Sequence, residues 1–155
     1  MSSLHKKGFT LIEILMVLAI VGIVTVMGLP RASAIMGGSA MRSAKMEVKT
    51  ALVLARTTAV QTGGFAQFIR VGNVVTVTSD SMGQQVRLVP ANDIYAEHKV
   101  TLPSGTDTVR FDPRGFAFGI STSPFYRVIR LGRGTLVDSV CVTRFGRINS
   151  EGVCQ

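Results

Sequence analysis

The chain has no tryptophan and only two cysteines and two histidines among its 155 residues. Two cysteines are too few for the disulfide framework of a small secreted domain that lacks a large core. His5 and His98 are far apart, and neither lies near a cysteine, so the usual Cys and His pattern of a zinc site is absent. No serine or cysteine lies in a nucleophile-elbow sequence, and Gly132-Arg133-Gly134 is too short to cradle a phosphate. The sequence therefore predicts neither an enzyme nor a metal or cofactor site.

One long apolar run is present, and it follows a short basic leader at the N-terminus. Phe9 to Leu29 is a run of 21 residues, and as a helix it would be about 31 Å long, enough to cross the hydrocarbon core of a bilayer. Glu13 is the only charged residue in that run. A carboxylate in a membrane costs up to about 3 kcal/mol at the bilayer centre, so we expect Glu13 to have a function.

The segment Gly8-Phe9-Thr10-Leu11-Ile12-Glu13 resembles, position by position, the N-terminus of type IV prepilins and type II secretion pseudopilins. The resemblance implies cleavage between Gly8 and Phe9 by a prepilin peptidase, N-methylation of Phe9, and pairing of Glu13 with the N-terminal amine of an adjacent subunit during assembly. It also implies a leader at residues 1–8. Residues 9–30 would then form a single helix in the inner membrane, and later in the core of a filament.

Two other interpretations of this N-terminus stay open. The apolar run followed by Ala32-Ser33-Ala34 fits a secretory signal peptide with its cleavage site, although the run is longer than the usual ~7–15 residues and contains an acid. The run also fits a plain membrane anchor, in which the Gly8–Phe9 junction has no role. Basic residues lie on both sides of the run, so charge alone does not give its orientation.

A second helical stretch is predicted after the apolar run. Gly28 and Pro30 should weaken the first helix and Gly37-Gly38 should interrupt it, because Gly adds backbone freedom and Pro removes a hydrogen bond. From residue 39 to residue 61 apolar side chains recur at steps of three and four, which predicts an amphipathic helix that ends at Gly63-Gly64. Its apolar face comprises Met41, Ala44, Val48, Ala51, Leu52, Ala55 and Ala59.

Four basic residues lie beside that apolar face on a helical wheel, namely Arg42, Lys45, Lys49 and Arg56. Their aliphatic stems would cover the edge of the packed face while their charged ends stay solvated, which is the favoured interpretation. Alternatively, they present a positive surface to a neighbouring subunit or to a phosphate backbone. The net charge of +8 allows either interpretation and also fits solubility alone.

From Phe65 onward the apolar period shortens and turn residues become frequent, which predicts a β-rich domain. Gly72-Asn73 predicts a two-residue hairpin, Asp112-Pro113-Arg114-Gly115 a type I turn, and Gly132-Arg133-Gly134 a further connection. Residues 92–99 should form a loop or a helical turn. The predicted strands are residues 65–71, 74–78, 85–89, 99–102, 108–111, 116–120, 126–131 and 135–142.

The predicted fold class is therefore α+β, with a long N-terminal helix that packs on an antiparallel β-sheet or small β-sandwich. The first half of the helix would span the membrane, and residues 31–63 would form its amphipathic second half. Residues 64–155 would form the β-rich domain in the periplasm. Cys141 and Cys154 are candidates for a disulfide that closes a loop of about 14 residues and contributes ~3 kcal/mol. Two separate reduced thiols are the alternative.

Three further passages resemble the GspH/FimT group of minor pilins and pseudopilins. They are residues 54–63, with Ala55-Arg56 ahead of Gly63; residues 109–115, with a Phe111-x-x-x-Gly115 hairpin; and residues 140–148, with Gly146-Arg147. The resemblance implies a pilin-like fold and a low-abundance subunit, at or near a filament tip, that initiates or caps assembly. Its partners would be other pilin or pseudopilin subunits. A type IV pilus and a type II secretion pseudopilus share these features, so both stay open.

Some members of this group bind DNA during natural transformation through a C-terminal Gly-Arg-x-Arg. The matching residues here are Gly146-Arg147-Ile148-Asn149, which lack the second arginine, and Arg144 is its candidate substitute. Phosphate contacts need only suitably placed positive charge, and Phe145 is the close candidate for stacking on an unpaired base. DNA uptake is therefore the alternative function. The candidate DNA-binding residues are Arg144, Arg147, Arg114 and Arg133.

Overall fold

The structure of the protein is a computed structural model that describes residues 9–81, 84–119 and 126–150, without the side chains of residues 27–35 and 81. The leader at residues 1–8, residue 120 of a predicted strand, and Cys154 lie outside the described residues. The chain divides into two compact units, Met1–Gly37 and Gly38–Gln155.

Helix α1 runs from Leu11 to Thr62 and ends at Gly63, which has a φ of +64°. The predicted end at Gly63-Gly64 is thus confirmed, because a left-handed residue just past a helix suits glycine. The predicted interruption at Gly37-Gly38 is wrong, since the backbone is helical through both residues. Glycine lowers helix propensity by about 1 kcal/mol but, unlike proline, it keeps the backbone N–H and forms the helical hydrogen bonds.

In the first unit, all described side chains from Phe9 to Val26 are exposed, and most of them are large and apolar. Among the residues that the structure describes, no helical segment is both long and apolar enough to count as a membrane span.

The described residues of the second unit form two antiparallel sheets. The first has five strands in the order β3-β2-β1-β4-β5, and the second has three strands in the order β6-β7-β8. A short helix, α2, connects β3 to β4 along the chain. The bounds of these elements are β1 Phe65–Val71, β2 Val74–Ser81, β3 Gln84–Asp93, α2 Ile94–His98, β4 Thr106–Phe111, β5 Ala117–Phe118, β6 Tyr126–Arg133, β7 Leu136–Thr143 and β8 Ile148–Asn149.

The hairpin predicted at Gly72-Asn73 is confirmed, and it joins β1 to β2. The strand predicted at residues 99–102 is wrong. Lys99 has a φ of 56° and caps α2, so an extended strand cannot begin there, and Thr101 forms only an isolated bridge to Gly132. The connection predicted at Gly132-Arg133-Gly134 is shifted, because Gly132 and Arg133 belong to β6 and the turn begins at Gly134, with a φ of +58°.

Among the described residues, one apolar core joins the part of α1 after Gly38 to both sheets. All seven residues of the predicted apolar face are buried, with exposed fractions of 7% or less. Leu52 from α1, Phe68 and Phe111 from the first sheet, and Ile129 from the second all belong to the same buried cluster. Each such side chain contributes about 1.5–3 kcal/mol when it leaves water. The α+β fold class is confirmed.

A buried ion pair fastens the β1–β2 hairpin to the start of β4. Arg70 is 3% exposed, and its Nε donates to Oδ2 of Asp107 at 3.0 Å. Its Nη1 also donates to the carbonyl oxygen of Gly72 at 3.0 Å. Burial of a charge is tolerated only when such partners satisfy it, so Asp107 stabilises the buried guanidinium of Arg70.

Candidate functional site

The helix start at the N-terminus is capped by Thr10. The backbone N–H of Glu13 donates to Oγ1 of Thr10 at 3.3 Å and to its carbonyl oxygen at 3.1 Å. Thr10 and Glu13 therefore have the spacing of a capping box, a sequence signal that the prediction of Glu13 as an assembly residue did not use. An acid in the first turn also interacts favourably with the helix dipole, which contributes about 0.3–1 kcal/mol.

Glu13 lies among exposed apolar side chains. Its neighbours Leu11, Ile12 and Ile14 are 79%, 62% and 48% exposed, and Phe9 is 78% exposed. An apolar helix surface of this kind is stable only when another apolar surface or a lipid phase covers it. One carboxylate is thus presented within a surface that is otherwise suited to packing.

The three passages that resemble the GspH/FimT group meet at one place in the second unit. A Cβ on Gly115 would stand 3.1 Å from Nε of Arg56, and a Cβ on Gly146 would stand 2.9 Å from the same atom. A Cβ on Gly146 would also stand 1.9 Å from the carbonyl oxygen of Gly115. The two glycines have φ values of +81° and +75°. Glycine is therefore required at both positions by conformation and by close contact.

Hydrogen bonds fix the first of these two turns. The N–H of Gly115 donates to the carbonyl oxygen of Asp112 at 2.9 Å, which confirms the turn predicted there. The carboxylate of Asp112 accepts from the N–H of Arg114 at 2.9 Å and from that of Phe116 at 2.8 Å. The side chain of Asp112 thus forms an Asx turn, which stabilises this loop.

The second turn is fixed in the same way around Thr143. The N–H of Gly146 donates to the carbonyl oxygen of Thr143 at 2.9 Å, and the N–H of Arg147 donates to its Oγ1 at 3.1 Å. The N–H of Ala117 donates to the carbonyl oxygen of Arg144 at 2.9 Å, which ties β5 of the first sheet to this turn of the second. Arg144 and Phe145 both project from the turn as exposed side chains.

Together the two turns form an Arg–Phe surface, which comprises Arg114, Phe116, Phe118, Arg144 and Phe145. These side chains line a cavity of about 370 Å³ with Asp112 and Ala117. The rings of Phe116 and Phe145 meet edge to face, with centroids 6.2 Å apart, and Phe145 is 71% exposed. Phe116 and Phe118 were not predicted to lie here, because only the β4–β5 pairing and the bond to Arg144 bring them to Phe145.

The guanidinium groups of this surface are available to a ligand. Within the described part of the chain, the side chains of Arg114, Arg144 and Arg147 are exposed and make no hydrogen bond or ion pair. Arg147 lines a different cavity, of about 580 Å³, together with Arg56 of α1. The structure therefore brings Arg114 and Arg144 to one cavity, whereas Arg147, from the same turn as Arg144, lines another.

Arg133 does not join them. It pairs with Leu136 at the turn end of the β6–β7 hairpin, whereas Thr143, next to Arg144, pairs with Tyr126 at the other end. At about 3.3 Å per residue, the two ends are roughly 23 Å apart. Nη1 of Arg133 donates instead to the carbonyl oxygen of His98 at 3.1 Å.

Most of the basic stripe on α1 is used inside the second unit. Nζ of Lys45 lies 2.6 Å from Oδ2 of Asp138, and Nζ of Lys49 donates to Oγ of Ser150 at 3.4 Å. Arg56 lies against the two glycine turns. Arg42 is exposed. These contacts indicate that the basic residues hold the sheets to the helix. They do not favour the alternative, in which the residues form a continuous positive surface.

Cys141 is a buried residue of β7 and is not a free cysteine. Cys154 lies outside the described residues, so the Cys141–Cys154 disulfide stays a prediction.

Comparison with known proteins bears on both the N-terminus and the fold. The family profile of the prokaryotic N-terminal methylation motif matches residues 4–29. Two crystal structures of the type IV minor pilin FimU from Pseudomonas aeruginosa strain PAO1 share the fold, with TM-scores of 0.53 and 0.52. The chain has a pilin-like fold. The alignments have 19% and 18% sequence identity, and they cover 71% of this chain and 87% and 91% of the FimU chains. No curated protein matches the sequence.

The two comparisons concern different features of the protein. The methylation motif covers only the N-terminal part of the chain, whereas the similarity to FimU at this level of identity concerns the fold. The similarity to FimU confirms the predicted pilin-like α+β fold, and the profile match supports the predicted methylation motif at the N-terminus.

Proposed function

We propose that this pilin-like chain is a minor pilin or pseudopilin of the GspH/FimT type, a structural subunit that initiates or caps the assembly of a type IV pilus or type II secretion pseudopilus. The observation that carries the proposal is the methylation motif at residues 4–29, in which Glu13 lies in the first turn of an exposed apolar helix. The meeting of the three GspH/FimT-like passages at Arg56, Gly115 and Gly146 supports the subgroup.

In this proposal the prepilin peptidase removes residues 1–8 by cleavage between Gly8 and Phe9, and Phe9 is then N-methylated. Residues 9–30 anchor the chain once in the inner membrane, with residues 31–155 in the periplasm, and later enter the core of the filament. Other pilin or pseudopilin subunits are its partners. The exposed apolar side chains of residues 9–26 are consistent with both environments, because both cover apolar surface.

Glu13 would act through charge pairing. In a bundle of apolar helices an unpaired carboxylate is costly, whereas a carboxylate paired with a neighbour's N-terminal amine satisfies both charges and fixes the register of the two subunits. The amine belongs to Phe9 only after cleavage, so processing and assembly are coupled in this mechanism.

The test compares Glu13→Ala with Thr10→Ala in cells that make the filament. Glu13→Ala should remain in the membrane fraction but be lost from sheared filaments. Thr10→Ala removes the helix cap and keeps the carboxylate, so its incorporation should be close to that of the wild type. Normal incorporation of the Glu13→Ala protein would refute the pairing role. Equal loss in both variants would assign the defect to capping instead.

A second candidate function, DNA binding during natural transformation, is favoured by the Arg–Phe surface. Two unpaired guanidinium groups, on Arg114 and Arg144, lie beside the exposed ring of Phe145. Positive charge attracts phosphates, and an exposed ring offers a face on which an unpaired base stacks. This arrangement favours single-stranded over double-stranded DNA, because the bases of a duplex are already stacked.

The DNA test uses the full chain in detergent and a fluorescent single-stranded oligonucleotide over a range of salt concentrations. An Arg114→Ala/Arg144→Ala variant should bind more weakly and show a shallower salt slope, by about 0.7 per lost phosphate contact. Arg42→Ala/Arg133→Ala is the matched control, since it also removes two positive charges and neither residue lines the Arg–Phe surface. Equal losses in the two variants would mean that net charge, and not this surface, binds DNA.

A further inference from the structure

Three possible metal ligands, one from α1 and two from α2, lie close together. Nε2 of His98 lies 2.8 Å from Oε2 of Glu47. One ligand atom from each of Glu47, Glu97 and His98 lies within 4.8 Å of the others. Glu47 belongs to α1 and the other two to α2, so no local sequence motif would reveal the cluster. We propose that these three side chains bind one divalent transition-metal ion, with Zn²⁺ as the ion that fits their chemistry best.

The donor set distinguishes among metals. An imidazole nitrogen and carboxylate oxygens are ordinary zinc ligands at about 2.0–2.2 Å, whereas calcium and magnesium favour sites made of oxygen alone. Ligand atoms around a tetrahedral zinc stand about 3.4 Å apart. The ligand atoms now lie within 4.8 Å of one another, so side-chain rotations alone would bring them to that spacing. Such rotations are open to Glu47 and His98, whose side chains are 29% and 16% exposed.

The backbone that carries Glu97 and His98 is held in place at both ends of α2. Oδ1 of Asp93 accepts hydrogen bonds from the N–H groups of Tyr95 and Ala96, at 2.9 and 3.2 Å. At the other end, the N–H of Lys99 donates to the carbonyl oxygen of Tyr95 at 2.9 Å. The carbonyl oxygen of His98 also accepts from Arg133. A pre-ordered backbone lowers the entropy cost of gathering the ligands around an ion.

Charge also favours a cation at this position. The side-chain amide of Asn92 donates to Oε2 of Glu97 at 2.9 Å and to Oε1 of Glu47, and so holds two carboxylates close together. Two neighbouring carboxylates repel each other, and a neutral amide does not cancel their charge. The nearby ammonium group of Lys99 lies over the ring of Tyr95, 5.4 Å from its centroid. A divalent ion would neutralise the pair directly.

The cluster leaves room for a further ligand. Glu47, Glu97 and His98 line one wall of an open cavity of about 460 Å³. Three protein ligands leave one position of a tetrahedral zinc for water or for a group from another molecule. Because Glu47 is on α1 and the other ligands are on α2, the ion would also link the helix to the β3–β4 connection.

The test is a calorimetric titration of the full chain in detergent with Zn²⁺, and then with Ca²⁺. The wild type should bind one Zn²⁺ per chain in preference to Ca²⁺. Glu97→Gln keeps an acceptor for Asn92 but removes the charge, so it should preserve the fold and weaken zinc binding at least about tenfold. His98→Gln should weaken it by a similar factor or more. His5→Gln is the matched control in the uncleaved chain, because it removes the other histidine, and its zinc binding should equal that of the wild type.

Each contrary result would overturn the proposal. Absence of saturable zinc binding by the folded wild type would mean that the cluster is only a set of hydrogen bonds. Unchanged binding in both Glu97→Gln and His98→Gln would place the ion elsewhere, and loss of binding in His5→Gln would place it at the leader. If the protein bound Ca²⁺ as tightly as Zn²⁺, the imidazole of His98 would not be a ligand that makes the site selective for zinc.

Discussion

Replacing Gly146 by alanine tests how closely the two glycine turns are packed. Gly146 has a φ of +75°, a conformation that alanine adopts with difficulty. The added Cβ would also stand 1.9 Å from the carbonyl oxygen of Gly115, which is backbone and cannot rotate away. The turn at Thr143–Arg147 would therefore have to move away from the turn at Asp112–Phe116.

The expected magnitude follows from these two costs. Alanine at a positive φ costs about 1 kcal/mol, and overpacking of a well-filled site typically costs about 1–3 kcal/mol more. Gly146→Ala should thus lower the free energy of unfolding by about 2–4 kcal/mol. Gly134→Ala is the matched control, because Gly134 has a φ of +58° and no neighbouring atom within 4 Å of the added Cβ. The control should lose only about 1 kcal/mol.

The assay is urea unfolding of the full chain in mild detergent, followed by tyrosine fluorescence. The chain has no tryptophan and two tyrosines. Tyr95 and Tyr126 both lie in the second unit, so the signal reports that unit alone. If Gly146→Ala were no more destabilising than Gly134→Ala, the two turns would not be as closely packed as described.

Two further predictions use the same assay. Leu52→Ala should cost about 2–5 kcal/mol because Leu52 is fully buried, whereas Leu54→Ala, at a site that is 36% exposed, should cost less than about 1 kcal/mol; equal losses would contradict the assignment of the buried face. Asp107→Ala should cost about 3–5 kcal/mol because it leaves the buried guanidinium of Arg70 without its carboxylate, and a loss below about 1 kcal/mol would show that Arg70 is solvated.

The helical part of the fold was the most predictable, because the period of an amphipathic helix is a local property. Every residue of the predicted face, from Met41 to Ala59, is buried. The error at Gly37-Gly38 has a local cause as well. Glycine weakens a helix without forbidding it, and Ala40 and Met41, which follow, are good helix formers.

The strands were less predictable, because pairing between distant segments decides them. Strand β8 has only two residues and exists through its pairing with Cys141 and Val142 of β7. The predicted strand at residues 99–102 has the right residue types, but the end of α2 at Lys99 leaves only Thr101 in a bridge. Neither outcome follows from the local sequence.

Among the candidate sites, too, those made of contiguous residues were predictable and those made of distant residues were not. The N-terminal motif is contiguous, so the sequence alone indicated the roles proposed for Phe9 and Glu13. The Arg–Phe surface depends on the meeting of two turns that are about 30 residues apart along the chain. The sequence indicated Arg114, Arg144 and Phe145 as separate candidates, but it did not indicate Phe116 and Phe118. Glu47 escaped notice entirely, because its partner His98 lies 51 residues away.

The most direct test of the account is the N-terminus of the protein as isolated from the cells that produce it. Mass spectrometry of the N-terminal peptide should find a chain that begins at Phe9 with a methylated amine. A chain that still begins at Met1, or one that begins at Ile35 after cleavage behind Ala34, would contradict the assignment. The first result would indicate a plain membrane anchor, and the second would indicate a secretory signal peptide.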